Sequence, residues 1–186
     1  MIAAIGARPV PQVLALSAYI VAVEWGRALV ERQPELTVAA LIAGGGALAI
    51  SAAGRSPERL GLGFSRLPLR VLGGLALAAV LLLPAAARTG GGPMLPAGLA
   101  AAAIAVSVGE ELAFRGALYA ALEELGGPAM AVVGTTVLWT AAHAMSHPAA
   151  FLPAVAAAGL LLALWRWACR DLVAPVIAHV VADLAL

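Results

Sequence analysis

Long apolar runs, each broken by a short stretch of Arg, Gly, Pro or acidic residues, repeat along the whole chain. Seven of them read as membrane-crossing helices, at about 10–30, 36–53, 71–87, 95–122, 129–145, 151–168 and 172–186. Crossing the hydrocarbon core takes about 20 apolar residues in a helix, and inside lipid each backbone polar group must find its partner within the protein. The two-residue alternation of a barrel strand is absent, so helices are expected throughout. The breaks carry turn chemistry. "GRSPERLGLGFSRLPLR" separates the second and third spans, and "RTGGGPMLP" the third and fourth. "EELGGP" ends the fourth with Gly126 and Gly127 as stop signals, and Pro148 closes the fifth.

Composition turns this pattern into a statement about solvent. Of the 186 residues, 63% are hydrophobic and 11% charged, with a mean hydropathy of +1.00. Soluble domains run near 45–50% apolar and about 25% charged, and a water-soluble fold of this size must still present a polar skin. The expected fold is therefore all-α, a polytopic membrane helix bundle in the lipid bilayer, forming a single integral-membrane domain over residues 1–186 without internal repeats. Only Arg8 precedes the first run, and Glu24 and Trp25 interrupt it, so it reads as a retained span and not a cleaved signal peptide. Small residues in "GGGALAISAAG" and "GGLALAAV" have the spacing that lets helices approach closely.

Charge adds an orientation and excludes some partners. The net charge of +1 gives no electrostatic case for nucleic acid. The single cysteine, Cys169, excludes an intramolecular disulfide and a thiolate metal cluster. All basic residues are Arg. If seven spans cross, Arg8, Arg55, Arg59, Arg66, Arg70, Arg166 and Arg170 lie on one side, and Arg27, Arg32 and Arg88 on the other. The positive-inside rule puts the richer side, and with it the N-terminus, in the cytoplasm. The compact, Ala- and Arg-biased chain points to a bacterial cytoplasmic membrane.

Against this background the ionisable residues inside apolar runs stand out, because each costs about 2.5–3.5 kcal/mol to insert at the helix centre. They are Glu110, Glu111 and Arg115 in "VSVGEELAFRGALYAAL", His143 in the fifth span, and His179 and Asp183 in the seventh. Residues four apart share a helix face, whereas adjacent ones lie about 100° apart. Glu111 and Arg115 thus form the natural intrahelical pair, and Glu110 is left on another face without that partner, available as a general base. His179 and Asp183 share a face, where a carboxylate can orient an imidazole or join it in binding a cation or an oxyanion. Trp139 lies on the face of His143, while "HP" puts His147 at the helix end, in the interface. A membrane histidine can instead be a helix–helix hydrogen-bonding residue, and acids in a bundle can form an ion path. Convergence of titratable groups from three spans favours a site assembled in the bundle core.

These residues fall into three motifs. "EELAFR", "WTAAH" at 139–143 and "HVVAD" at 179–183 occur in order, each on its own apolar span. The chain resembles the CPBP (Abi) intramembrane proteases, relatives of the type II CAAX prenyl endopeptidases, whose signature is E-E-x-x-x-R, an aromatic-x-x-x-H motif and a terminal H-x-x-x-N/D motif. The resemblance covers residues 106–186; spans one to three match only in being hydrophobic. It departs from the usual pattern in Trp139, where Phe is commoner, and in Asp183, where Asn is frequent. It implies hydrolysis of a peptide bond in the membrane plane, on a membrane-anchored protein or peptide substrate. By motif position Glu110 would activate water, aided by His143, with His179 and Asp183 at the oxyanion, and Glu111, Arg115 and Trp139 supporting the site. In the metal-free, glutamic-type reading there is no cofactor; in the older reading Glu110, His143, His179 and Asp183 hold a divalent metal such as zinc. An ionised Asp183 cannot donate to an oxyanion but can bind a metal, whereas four protein ligands would fill a tetrahedral site unless Glu110 is kept as base. The alternatives to a protease are a non-catalytic, bacteriocin-immunity-type or scaffold protein of the same fold, and a small transporter, for which the inverted repeat is missing.

Overall fold

The computed structural model describes residues 9–63, 65–86 and 95–185. Arg8, Arg88 and most of the "RTGGGPMLP" break lie outside the described residues. Apolar runs become helices that alternate in direction: α1 (Pro9–Val30), α2 (Thr37–Ile50), the short α3 (Pro57–Leu60), α4 (Leu67–Ala86), α5 (Ala97–Glu111), α6 (Tyr119–Ala142), α7 (Leu152–Cys169) and α8 (Val173–Ala185). Among the described residues there is no strand. The fold is an all-α membrane helix bundle.

Burial follows the logic of a lipid solvent. Leu14, Ile50, Leu72 and Val137 are more than half exposed, while Glu24, Glu110, Glu111, Arg115, Arg166 and Asp171 are buried. In water the leucines would be inside and the charges outside; here the ionic groups pair within the bundle and the aliphatic surface meets hydrocarbon.

Three departures from the sequence pattern shape the interior. First, α5 and α6 are joined by a π-helical segment, Leu112–Leu118, of the kind that interrupts α-helices mainly at functional sites. Second, the break expected at Gly126–Gly127 is a kink: Gly127 has φ +77°, which a residue with a Cβ rarely adopts, and Pro128 follows it. One apolar stretch, Ala97–Met145, therefore traverses the bundle twice. Third, the second span is shorter than expected, 14 helical residues preceded by a 3₁₀ turn at Pro34–Leu36, and α8 has 13.

The helix α5 lies at the centre, packed against α2 and α8. Its approach to α2 is close: a Cβ on Gly109 would collide with the Gly45 carbonyl, and one on Gly45 with that of Ala105. Gly45, the middle residue of "GGG" at 44–46, thus sets the depth of the helix that carries Glu110.

Contacts between helix ends identify the two ends of the bundle. At one, Arg166 Nη2 donates to the Arg59 carbonyl at 2.9 Å, Arg70 pairs with Asp171 at 3.2 Å, Arg170 with Glu123 at 2.6 Å, and Gln12 near the start of α1 lines a cleft with Arg55, Arg59 and Glu124. At the other, Trp25 Nε1 donates to the Ala141 carbonyl at 3.2 Å and Ser107 on α5 meets Asp183 on α8 at 2.7 Å.

Candidate active site

The two adjacent glutamates point to different neighbours, as helical geometry requires. Glu111 Oε1 accepts from Arg115 Nη1 at 2.8 Å, both side chains being fully buried. The same oxygen lies 3.0 Å from His179 Nδ1, so the pair is more than a neutralised charge: it fixes the ring of a motif residue from another helix. A carboxylate can only accept, so Nδ1 carries the proton and Nε2 is turned toward Glu110.

Arg115 is held further by the ring of Trp139, whose centroid is 4.0 Å from the guanidinium carbon, and by the Gly159 carbonyl at 3.3 Å. Gly159 has to be small, since a Cβ there would stand 2.7 Å from Trp139 Cδ1. Beneath this layer Arg166 Nε donates to the Arg115 carbonyl at 3.1 Å, inside the π-helical segment.

His143 does not lie within α6 but begins the 3₁₀ turn His143–Met145 that follows it. Its Nδ1 is 2.8 Å from the Trp139 carbonyl. A carbonyl only accepts, so the proton is on Nδ1 and, in the neutral ring, Nε2 offers a lone pair. Nε2 stands 3.7 Å from Glu110 Oε2. His179 Nε2 stands 4.0 Å from that oxygen and 3.4 Å from Asp183 Oδ2. Asp183 is itself held by Ser107 Oγ at 2.7 Å. The structure therefore brings His143 and His179 together around one buried oxygen of Glu110, with Asp183 joined to the group through His179. His147 is set aside, partly exposed and stacked on Phe151.

One expectation is corrected. Glu110 is not left without a cation, because Arg27 Nη2 lies 3.3 Å from its Oε1. Arg27 also pairs with Glu24 and Glu31, each at 2.6 Å, and its side chain is 7% exposed, in the last turn of α1 and not in an aqueous loop. The pairing was invisible from spacing because it joins residues 83 positions apart. Glu24 was the available signal: an acid three residues before Arg27, within an apolar run, needs a counter-charge. Gly44 makes room for the arginine, since a Cβ there would stand 2.6 Å from Arg27 Cδ.

A family model described as Type II CAAX prenyl endopeptidase Rce1-like matches residues 92–185, the stretch that contains all three motifs. The chain belongs to this family. No curated protein and no solved structure matches it. At the level of the family it is a CAAX-type intramembrane protease, an integral membrane protein with a protein or peptide substrate. Helices α1 and α2, which supply Arg27 and the glycine contact to α5, lie outside the matched residues.

Proposed function

We propose that the chain hydrolyses a peptide bond of a membrane-associated protein or peptide substrate with a water activated by Glu110. The observation that supports this reading is the buried Glu110 Oε2 facing the Nε2 atoms of His143 and His179 across 3.7 and 4.0 Å. These gaps are too long for direct hydrogen bonds and suit a bridging water. Such a water gives one proton to Glu110 and the other to the lone pair on His143 Nε2, which leaves an oxygen lone pair free for the carbonyl carbon.

The chemistry follows from that arrangement. Glu110 takes a proton from the water as its oxygen bonds to the carbonyl carbon, and the carbonyl oxygen becomes an oxyanion. Protonated Glu110 then gives the proton to the departing amine as the C–N bond breaks, leaving a carboxyl and an amino terminus. Arg27 holds the other Glu110 oxygen and keeps the carboxylate oriented. An ionised Asp183 donates nothing to an oxyanion. We assign that donation to His179 in its doubly protonated form, with Nδ1–H on Glu111 and Nε2–H toward the substrate, Asp183 serving as counter-charge.

A divalent metal on Glu110, His143, His179 and Asp183 is the competing chemistry. The separations of 3.7 and 4.0 Å around Glu110 exceed the about 3.3 Å between ligand atoms of a tetrahedral zinc with bonds of about 2.0–2.1 Å. Among the described residues no three His, Cys, Asp or Glu side chains are placed to hold an ion. No step is therefore drawn through a metal.

Two measurements test this. Glu110→Gln keeps the shape and removes the base, and is expected to lower cleavage by about 10²–10⁴-fold while membrane accumulation is unchanged. Full processing by this variant would overturn the reading and favour a non-catalytic, peptide-binding role. Purified enzyme is expected to keep its activity through chelation by 1,10-phenanthroline and EDTA; loss of activity that zinc restores would move the reaction to metal chemistry.

A further inference from the structure

Arg166, on α7, is a buried cation to which the chemistry above gives no part; it is 3% exposed. Glu123 and Asp171, acids of the same end of the bundle, pair with Arg170 and Arg70 instead. Arg166 directs its donors to backbone. Nε meets the Arg115 carbonyl at 3.1 Å and Nη2 the Arg59 carbonyl at 2.9 Å. Its guanidinium carbon lies 5.0 Å from the centre of the Tyr119 ring. Gly61, at φ +79°, leaves it room, since an added Cβ would stand 3.0 Å from Arg166 Cζ. A buried guanidinium is costly inside a membrane protein. What it offers over a neutral donor is a planar fork that reaches two carbonyls at once.

The Arg115 carbonyl needs an outside donor because of the π-helical segment. In an α-helix it would accept from the N–H four residues on, that of Tyr119. Here the Tyr119 N–H turns to the carbonyls of Gly116 and Phe114, and Arg166 Nε takes its place. A buried carbonyl without a donor is unfavourable, so the wide turn is stable while Arg166 supplies one. The side chain of Arg115 is at the same time the pivot of the site. It holds Glu111 Oε1 at 2.8 Å and lies 4.0 Å from the centre of the Trp139 ring. Glu111 Oε1 in turn stands 3.0 Å from His179 Nδ1. A shift of the Arg115 backbone therefore moves Trp139 and the partner of His179 together.

We infer that Arg166 is a positioning residue for the site. By holding the Arg115 carbonyl it keeps the π-helical turn, and through that turn the Glu111–His179 contact and the Trp139 ring, in register. The effect on turnover rests on the proteolytic reading given under Proposed function; the effect on the Trp139 ring does not.

Fluorine NMR of protein carrying 5-fluorotryptophan tests this in detergent. The chain has four tryptophans, and the Trp139 resonance is the one lost in Trp139→Phe. Arg166→Lys keeps the charge over Tyr119 but lacks the fork; Arg166→Gln removes the charge and keeps an amide donor. Both are expected to move the Trp139 resonance and to leave that of Trp25, at the other end of the bundle, in place. An unmoved Trp139 resonance would overturn the inference. So would equal movement of Trp25, which marks a general loosening. In cleavage assays with Glu110→Gln as the blank, Arg166→Lys is expected to lower kcat by about 10–10²-fold, the upper value being that of a misplacement of about 1 Å. KM should stay near wild type, as when an interaction made only in the transition state is lost. An unchanged kcat would also overturn the inference. Full processing by Glu110→Gln would remove the proteolytic reading instead, and the Trp139 resonance would still decide what Arg166 does.

Discussion

Arg27 carries the heaviest electrostatic duty of any single residue near the site. Its guanidinium meets Glu24, Glu31 and Glu110 at 2.6, 2.6 and 3.3 Å, so that three acids are held by one cation in a place where unpaired charge is costly. Removing one partner of such a buried group typically costs about 3–5 kcal/mol, because the remaining charges are stranded. Arg27→Gln is therefore expected to lower the amount of folded protein recovered from the membrane, whatever the protein does. Arg27→Lys separates the two roles. It keeps a positive charge for the acids but loses the planar fork that reaches two of them while touching Glu110. Accumulation near wild type with kcat down by about 10²-fold, the size expected when a reacting group is misplaced by about 1 Å, would mark Arg27 as a positioning residue for Glu110. An unchanged kcat in that variant would reduce it to a structural counter-ion. The residue scale is also where sequence reading reached its limit. The Glu111–Arg115 and His179–Asp183 pairs were legible because each lies four apart on one helix. Arg27–Glu110 and His179–Glu111 were not, because they join helices whose relative rotation no local spacing encodes.

At the scale of elements, helix existence followed from apolar run length, and the break between the fourth and fifth spans from the Gly126–Gly127–Pro128 sequence. The π-helical segment had no such signal, since "LAFRGAL" reads as ordinary helix, and its extra width answers to tertiary demands. Inside it the Arg115 carbonyl takes a bond from Arg166, and Gly116 packs 3.2 Å from Leu60 Cδ2, counted from an added Cβ. The glycines of α2 behave differently, because close helix approach through small residues is readable from spacing, although which glycine bears the contact is not. The structure singles out Gly45 and Gly109, whose added Cβ atoms meet backbone, and sets Gly46 apart, where an added Cβ meets nothing within 4 Å. Backbone cannot swing aside as a side chain can. Gly45→Ala and Gly109→Ala are each expected to cost at least about 1–3 kcal/mol, the usual penalty of overpacking, read as loss of folded protein in thermal-stability assays in detergent. Gly46→Ala, on an exposed face of the same helix, is expected to be neutral or to gain up to about 1 kcal/mol from the lower backbone entropy of alanine. Equal losses at Gly45 and Gly46 would mean that α2 does not pack on α5 as described.

For the whole molecule, the relation between the family match and the physical unit is the decisive one. The matched residues 92–185 contain every motif, and a sequence reading centred on motifs treats spans one to three as greasy filler. Packing contradicts that. α2 lies along α5, α1 against α6, and α4 against α8, so each of the three early helices covers a helix that carries part of the site. Without them Glu110 would lose Arg27, α5 would lose the Gly45 contact that fixes its depth, and the core formed by Leu77, Leu162, Ala174 and Ala178 would open to lipid. Lipid is as apolar as leucine and would not by itself penalise that opening; what it does penalise is an ionised Glu110 without its cation. The segment 92–186 expressed alone is therefore expected to insert but to show no cleavage and to be degraded quickly. Coexpression with the separate segment 1–90 should restore both accumulation and activity, since the two meet through helix faces. The decisive arm is the same coexpression with Arg27→Lys in the first segment, which keeps the charge for the three acids. If the early helices serve only to cover the others, accumulation and cleavage should still be rescued. If they complete the site, rescue of cleavage should fail.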